Sequence, residues 1–155
     1  LSAMSELREL YQEVILDHNR KPRNFGALPE ASHRADGHNP FCGDKVTVFL
    51  TLMDNRVADV RFQGAGCAIS IASASLMTDA VKGKSETELR AMFERFQVGM
   101  TAKDDADAAE ALSGLDKLAV FEGVREFPIR VKCATLPWHT LVAALDRATT
   151  PVKTE

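Results

Sequence analysis

Hydrophobic positions first recur at helical spacing. Leu7, Leu10, Tyr11, Val14 and Ile15 form one stripe at i, i+3, i+4, i+7 and i+8, and Ser5 is a candidate N-cap. The Lys21-Pro22 step disfavours helical backbone, so the helix is expected to end near His18-Asn19. A loop containing Pro22, Asn24, Gly26 and Pro29 follows. The period then drops to two. Val46, Val48, Leu50 and Leu52 alternate along residues 45–52, Asp54-Asn55 marks a turn, and Ala58, Val60 and Phe62 alternate along residues 56–63. That pattern predicts a β-hairpin with one buried face. Residues 33–38 are a candidate third strand.

After Cys67 the period becomes helical again. Residues 68–82 are poor in bulk, with Ala72, Ser73, Ala74 and Ser75 at the centre, so this helix is expected to pack flat on the sheet. Gly83 is expected to stop it. Ser85-Glu86-Thr87-Glu88 has the form of a capping box opening another helix, with Gly99 as its expected close. Asp104, Asp105 and Asp107 suit the positive end of a further helix, whose buried side would carry Leu112, Leu115, Leu118 and Ala119. A last helix would use Trp138, Leu141, Val142 and Leu145, with Pro137 in its first turn. The expected fold class is α+β: a small antiparallel three-stranded sheet with helices packed on one face.

Composition narrows the classes. A chain of 155 residues corresponds to about one domain. Leu1-Ser2-Ala3 ahead of Met4 reads as a remnant of expression, leaving residues 4–155 as a single domain. The net charge of −3 speaks against a nucleic-acid partner, which would call for a strongly basic surface. No apolar run approaches the roughly 18 residues of a membrane span. Three cysteines, an odd number, with no export signal fit a cytoplasmic protein better than a disulfide framework.

Those cysteines carry the chemistry. They occur in Pro40-Phe41-Cys42-Gly43-Asp44, Gly64-Ala65-Gly66-Cys67-Ala68 and Val131-Lys132-Cys133-Ala134, at expected element ends rather than in apolar runs. The hairpin would bring Cys42 and Asp44 beside Cys67, and the last helix would add Cys133. Helix N-termini at Cys67 and Cys133 would favour thiolate. Three sulfurs and one oxygen make a tetrahedral donor set for zinc or an iron–sulfur species.

At these residues the chain resembles the scaffold and sulfur-acceptor proteins of iron–sulfur cluster assembly: IscU, the NifU N-terminal domain and SufU. The resemblance runs from Leu7 to Leu145. It includes Tyr11 through His18, Pro22-Arg23-Asn24-Phe25-Gly26, Cys42-Gly43-Asp44, Gly64 through Ser70 and Lys132-Cys133-Ala134. Two departures point to the SufU branch. Lys132 stands where IscU has a histidine, and Phe127 through Lys132 replaces the Leu-Pro-Pro-Val-Lys chaperone segment. The stretch from about Met100 to Gly123 is also longer than the IscU pattern.

The resemblance implies a SufE/NifU-like fold and a zinc-bearing protein that accepts persulfide sulfur from a SufS-like cysteine desulfurase within the cluster-assembly machinery. Cys42, Asp44, Cys67 and Cys133 would be the metal ligands. Cys42, flanked by Pro40 and Gly43, is the candidate acceptor, and Asp44 is the hardest ligand and the one that keeps the site exchangeable. Arg130 is a candidate docking residue for the desulfurase. Alternatives are a scaffold on which a [2Fe-2S] cluster is built on Cys42, Cys67 and Cys133, an interaction module with a purely structural zinc, and a cysteine-nucleophile hydrolase. His18, His33, His38 and His139 lack metal-ligand spacing to one another and are read as surface or core residues. Trp138 is read as core.

Overall fold

The computed structural model describes residues 3–154, with side chains described from residue 9 onward. Helix α1 spans Ala3–Arg20, so Ser5 lies inside the helix rather than at its cap. Leu1 and Ser2 of the expected expression remnant lie outside the described residues. Ile15 is buried, with Tyr11 and Val14 packed beside it, whereas Leu10 is 59% exposed.

Strands β1 (His33–Asn39), β2 (Asp44–Met53) and β3 (Arg56–Ala65) form the expected antiparallel meander. A fourth strand, β4 (Val152–Lys153), pairs in parallel with β1, giving the order β3-β2-β1-β4. The sheet is therefore mixed and four-stranded, not three-stranded. A two-residue strand is too short to show an alternation. A register shift between Thr51 and Leu52 also changes which side of β3 faces inward. Val57 is buried and Ala58 exposed, because an irregularity offsets the inward phase by one residue.

Helices α2 (Ala68–Val81), α3 (Glu86–Thr101), α4 (Asp105–Ser113) and α5 (Pro128–Leu145) complete the α+β fold with a 3-10 helix at Asp116–Glu126. They cover the face bearing Val46, Val48, Leu50, Val60 and Phe62, all in one apolar core. The opposite face carries Arg34, Asp36 and Thr47; there Phe49 is covered by the Arg34 guanidinium, 5.3 Å from the ring centroid. α5, not α2, lies across β1 and β2, while α2 is held between α1 and α5 and touches β3. Its small side chains permit that sandwiching, and Ser73 Oγ donates to the Ala134 carbonyl of α5 at 2.5 Å.

The Ser85 capping box is present: the Ser85 hydroxyl accepts from the Glu88 N–H, and the Glu88 carboxylate accepts from the Ser85 N–H. Such caps contribute about 1 kcal/mol. Gly99 does not close α3. It is buried inside the helix, where a Cβ would collide with Leu112. Asp104 caps α4 through the Ala106 N–H. Beyond Gly114 the chain turns 3-10, and Leu112, Leu115, Leu118, Phe121 and Val124 are all buried. A spacing of three matches the 3-10 turn, on which i and i+3 eclipse.

Candidate metal centre

The alternation that buries Val46 and Val48 also buries the residue one step earlier, Asp44. Likewise the inward phase of β1 through Ala35 and Gly37 continues to Asn39, opposite Asp44 in the ladder. Both are completely buried. The helix-covered face of the sheet thus ends in two polar side chains rather than apolar ones, and the cysteines gather around them.

Cys42 lies in the turn between β1 and β2 and is half-buried. Cys67 is the N-cap of α2, as expected from the helix start after it. Cys133 departs from expectation. It lies in the second turn of α5 and is fully buried, because α5 begins at Pro128, five residues earlier than the cysteine. Pro137 accordingly sits inside α5 rather than in its first turn. Its ring nitrogen has no hydrogen for the carbonyl four residues back, which is that of Cys133.

The donor atoms of Cys42, Asp44 and Cys133 lie within 4.8 Å of one another. Cys133 Sγ is 3.1 Å from Cys42 Sγ, and Cys67 Sγ is 3.7 Å from Asp44 Oδ2. The other carboxylate oxygen, Asp44 Oδ1, accepts the Cys67 N–H at 2.7 Å. Tetrahedral zinc with Zn–S near 2.3 Å separates its donors by about 3.8 Å, the scale on which Cys42, Asp44 and Cys133 cluster and Cys67 Sγ approaches the Asp44 carboxylate. A hydrogen bond from the Cys133 thiol lowers Cys67 from 9.0 to about 6, aided by backbone groups of Ser70 and Ile69 and opposed by burial and by Asp44. Cys133 is pushed far up by the same contact with Cys67, and further by burial. The contact thus favours thiolate on Cys67 at the helix start and the protonated form on the buried Cys133. Arg130 is exposed on the first turn of α5, its Nη1 3.7 Å from Cys42 Sγ.

Residues 10–147 match the profile of the NifU-like N-terminal domain. The chain belongs to that family. It is 40% identical over 141 residues to the zinc-dependent sulfurtransferase SufU of Bacillus subtilis, covering 91% of this chain and 92% of that protein. It is 36% identical to the iron–sulfur cluster assembly scaffold protein IscU of Streptococcus pyogenes, covering 94% and 89%. A candidate SUF-system scaffold protein from Fervidobacterium islandicum superposes with a TM-score of 0.78 at 34% identity, covering 89% of this chain and 98% of that one.

Around this NifU-like centre two residues matter that the motifs alone did not single out. Asn39 Nδ2 donates to Cys133 Sγ at 3.4 Å, and its Oδ1 accepts the Phe41 N–H at 3.1 Å, so one amide ties the buried thiol to the Cys42 turn. The Asn39-Pro40 step before Cys42 was the available signal. Gly66 has φ of +151°, and a Cβ there would overlap the Asp44 carboxylate. His18 and His139 make their contacts elsewhere. His18 Nδ1 is 2.7 Å from Ser75 Oγ, and His139 packs edge-on against Phe93. Trp138 is core, stacked on Phe96. Among the described residues no helix is long and apolar enough to cross a membrane.

Proposed function

We propose that this chain is a sulfur acceptor of iron–sulfur cluster biogenesis, holding zinc with Cys42, Asp44, Cys67 and Cys133 and receiving sulfur from a SufS-like cysteine desulfurase in the cytoplasm. The observation that supports the reading is the cluster of Cys42, Cys133 and the buried Asp44 carboxylate, with Cys67 Sγ 3.7 Å from Asp44 Oδ2. Bound zinc would supply a redox-silent charge that keeps the thiols ionised. Cys42 is the acceptor in this reading, since it is half-exposed on a turn while Cys133 is buried in α5 and Cys67 is fixed at the start of α2.

The Cys42 thiolate attacks the terminal sulfur of the desulfurase cysteine persulfide. A new S–S bond forms on Cys42 as the old one breaks, and the desulfurase cysteine leaves as thiolate with the bonding electron pair. The exchange involves no net oxidation. In this reading Arg130, exposed with its Nη1 3.7 Å from Cys42 Sγ, meets an acidic surface of the desulfurase and stabilises the attacking thiolate. Lys132 preceding Cys133 favours this role over cluster building.

The test is metal content and absorption spectrum of protein purified from cells, followed by single-turnover sulfur transfer. Colourless protein with one zinc per chain, gaining one sulfur atom on Cys42, is the expected result. A brown protein with an iron–sulfur spectrum and no persulfide would establish the scaffold reading instead. Stoichiometric zinc without any effect on a desulfurase would leave a structural zinc module.

A further inference from the structure

We propose that the cleft between the C-terminal end of α3, the 3-10 helix and α5 is a binding site for a small organic anion. Its ligand would carry a doubly charged phosphate or dicarboxylate on an apolar body. This inference does not rest on sulfur acceptance. Lys132, Thr135 and His139 share one face of α5 and line the cleft. Cys133 is turned about 100° from Lys132 around the helix, and the Lys132 ammonium reaches from the cleft wall over the Phe41 ring beside the Cys42 turn.

The cleft has a volume of about 610 Å³, within the roughly 300–1,000 Å³ typical of small-molecule sites. Its walls bring together Lys103, Arg125, Lys132 and Lys153, and none of the described residues lining it is acidic. Arg125 is paired with Asp105 and the Lys132 ammonium lies over the Phe41 ring, 4.9 Å from its centroid, so Lys103 and Lys153 carry the exposed positive charge of the cleft in a chain of net charge −3. A focused positive field of this kind concentrates anions.

Arg125 is pre-set for the role. Its side chain is only 10% exposed, Nη1 bonds Asp105 Oδ1 at 2.6 Å, and Nη2 bonds the Ala102 carbonyl. Its Nε is buried without a partner, as is the Oε1 of Gln97, also in the cleft wall. Buried polar atoms left unpaired are uncommon in folded proteins, and of these two the Arg125 Nε–H is the donor that an anion can accept. Met100, Pro128, Val131 and Val152 supply apolar wall, which an inorganic ion would leave uncovered. An anion with an apolar body satisfies both.

The experiment is isothermal titration of the full-length, metal-loaded protein with phenyl phosphate, phenylsuccinate and inorganic phosphate at constant ionic strength. At least one of the two aromatic anions should bind with a Kd of about 1 mM or tighter, at least tenfold tighter than inorganic phosphate. Preference for phenyl phosphate identifies a phosphate ligand, and preference for phenylsuccinate a dicarboxylate. The double variant Lys103→Glu/Lys153→Glu, changed at two exposed positions, should weaken binding at least tenfold with Tm and zinc content unchanged. Lys21→Glu, on the loop after α1, should bind like the parent. Failure of both aromatic anions to bind, equal binding of inorganic phosphate, or equal binding by the double variant would each overturn the proposal.

Discussion

The Cys67 N–H donates to Asp44 Oδ1 at 2.7 Å across 23 residues of chain, while Cys67 Sγ lies 3.7 Å from the other oxygen of the same carboxylate. Asp44 thus serves two functions at once. It satisfies an orphan donor at the start of α2 and offers its second oxygen to the centre. This separates its structural from its chemical contribution. Asp44→Asn retains an acceptor for the N–H but removes the charge, and Asp44→Ala removes both.

Asp44→Ala is expected to retain metal on three thiolates while losing most stimulation of a cognate desulfurase. Any cluster reconstituted on it should persist longer in air than on the parent. The unsatisfied N–H should lower stability by about 1–3 kcal/mol, and Asp44→Asn should recover much of that loss without recovering activity. Normal sulfur turnover by Asp44→Ala would reduce Asp44 to a turn residue.

Cys42→Ser, Cys67→Ser and Cys133→Ser should each abolish desulfurase stimulation, and pairs of them should cost no more than one, since all three serve one centre. Retention of more than half the activity in any single variant would break the shared-centre reading. Persulfide trapped on Cys67 in the parent, rather than on Cys42, would move the acceptor to the start of α2.

Asn39→Ala should lower metal affinity about 10–100-fold, because it removes the amide that orients Cys133 and tethers the Cys42 turn. Zinc competition with a chromogenic chelator measures this directly. An affinity equal to the parent's would show that the centre orients itself without Asn39.

Arg130→Ala should reduce desulfurase stimulation several-fold with little change in Tm or zinc content, since the side chain is exposed and sits beside Cys42. Early melting or metal loss would assign Arg130 to the fold. Arg130→Lys should recover part of the effect through charge alone.

Burial lowers the pKa of His18 below its ordinary 6.5, so the ring stays neutral in the folded chain where the unfolded chain takes up a proton. Its contribution is therefore complete above about pH 6.5 and declines as pH falls towards the lowered folded value. Tm measured from pH 8 to 5 should fall more steeply for the parent than for His18→Gln. Parallel curves would show that His18 is not part of the acid sensitivity.

Much of the framework was legible because it is local. The alternation of Val46, Val48 and Leu50, the Ser85 box and the stripe through Tyr11, Val14 and Ile15 are short-range patterns with one physical reading each. The order of the three cysteine motifs was enough to expect Cys42, Asp44 and Cys133 side by side, as they are. The strict spacing of three from Leu112 to Val124 was also present, yet it was read at α-helical period; a 3-10 run of 11 residues is rare enough that its signature is easily absorbed into the commoner helix.

What the sequence determined by itself is the family, the cysteine motifs and most of the elements around them, since motif chemistry and periodicity reside in neighbouring residues. Only the tertiary structure decided where α5 begins, and so that Cys133 is a buried thiol behind Pro137 rather than an exposed one at a helix start. It also decided that Asn39 and Asp44 continue the buried face of the sheet, and that β4 completes it. Each of these depends on contacts between residues far apart in the chain. Such packing energies exceed the local preferences that a sequence pattern records.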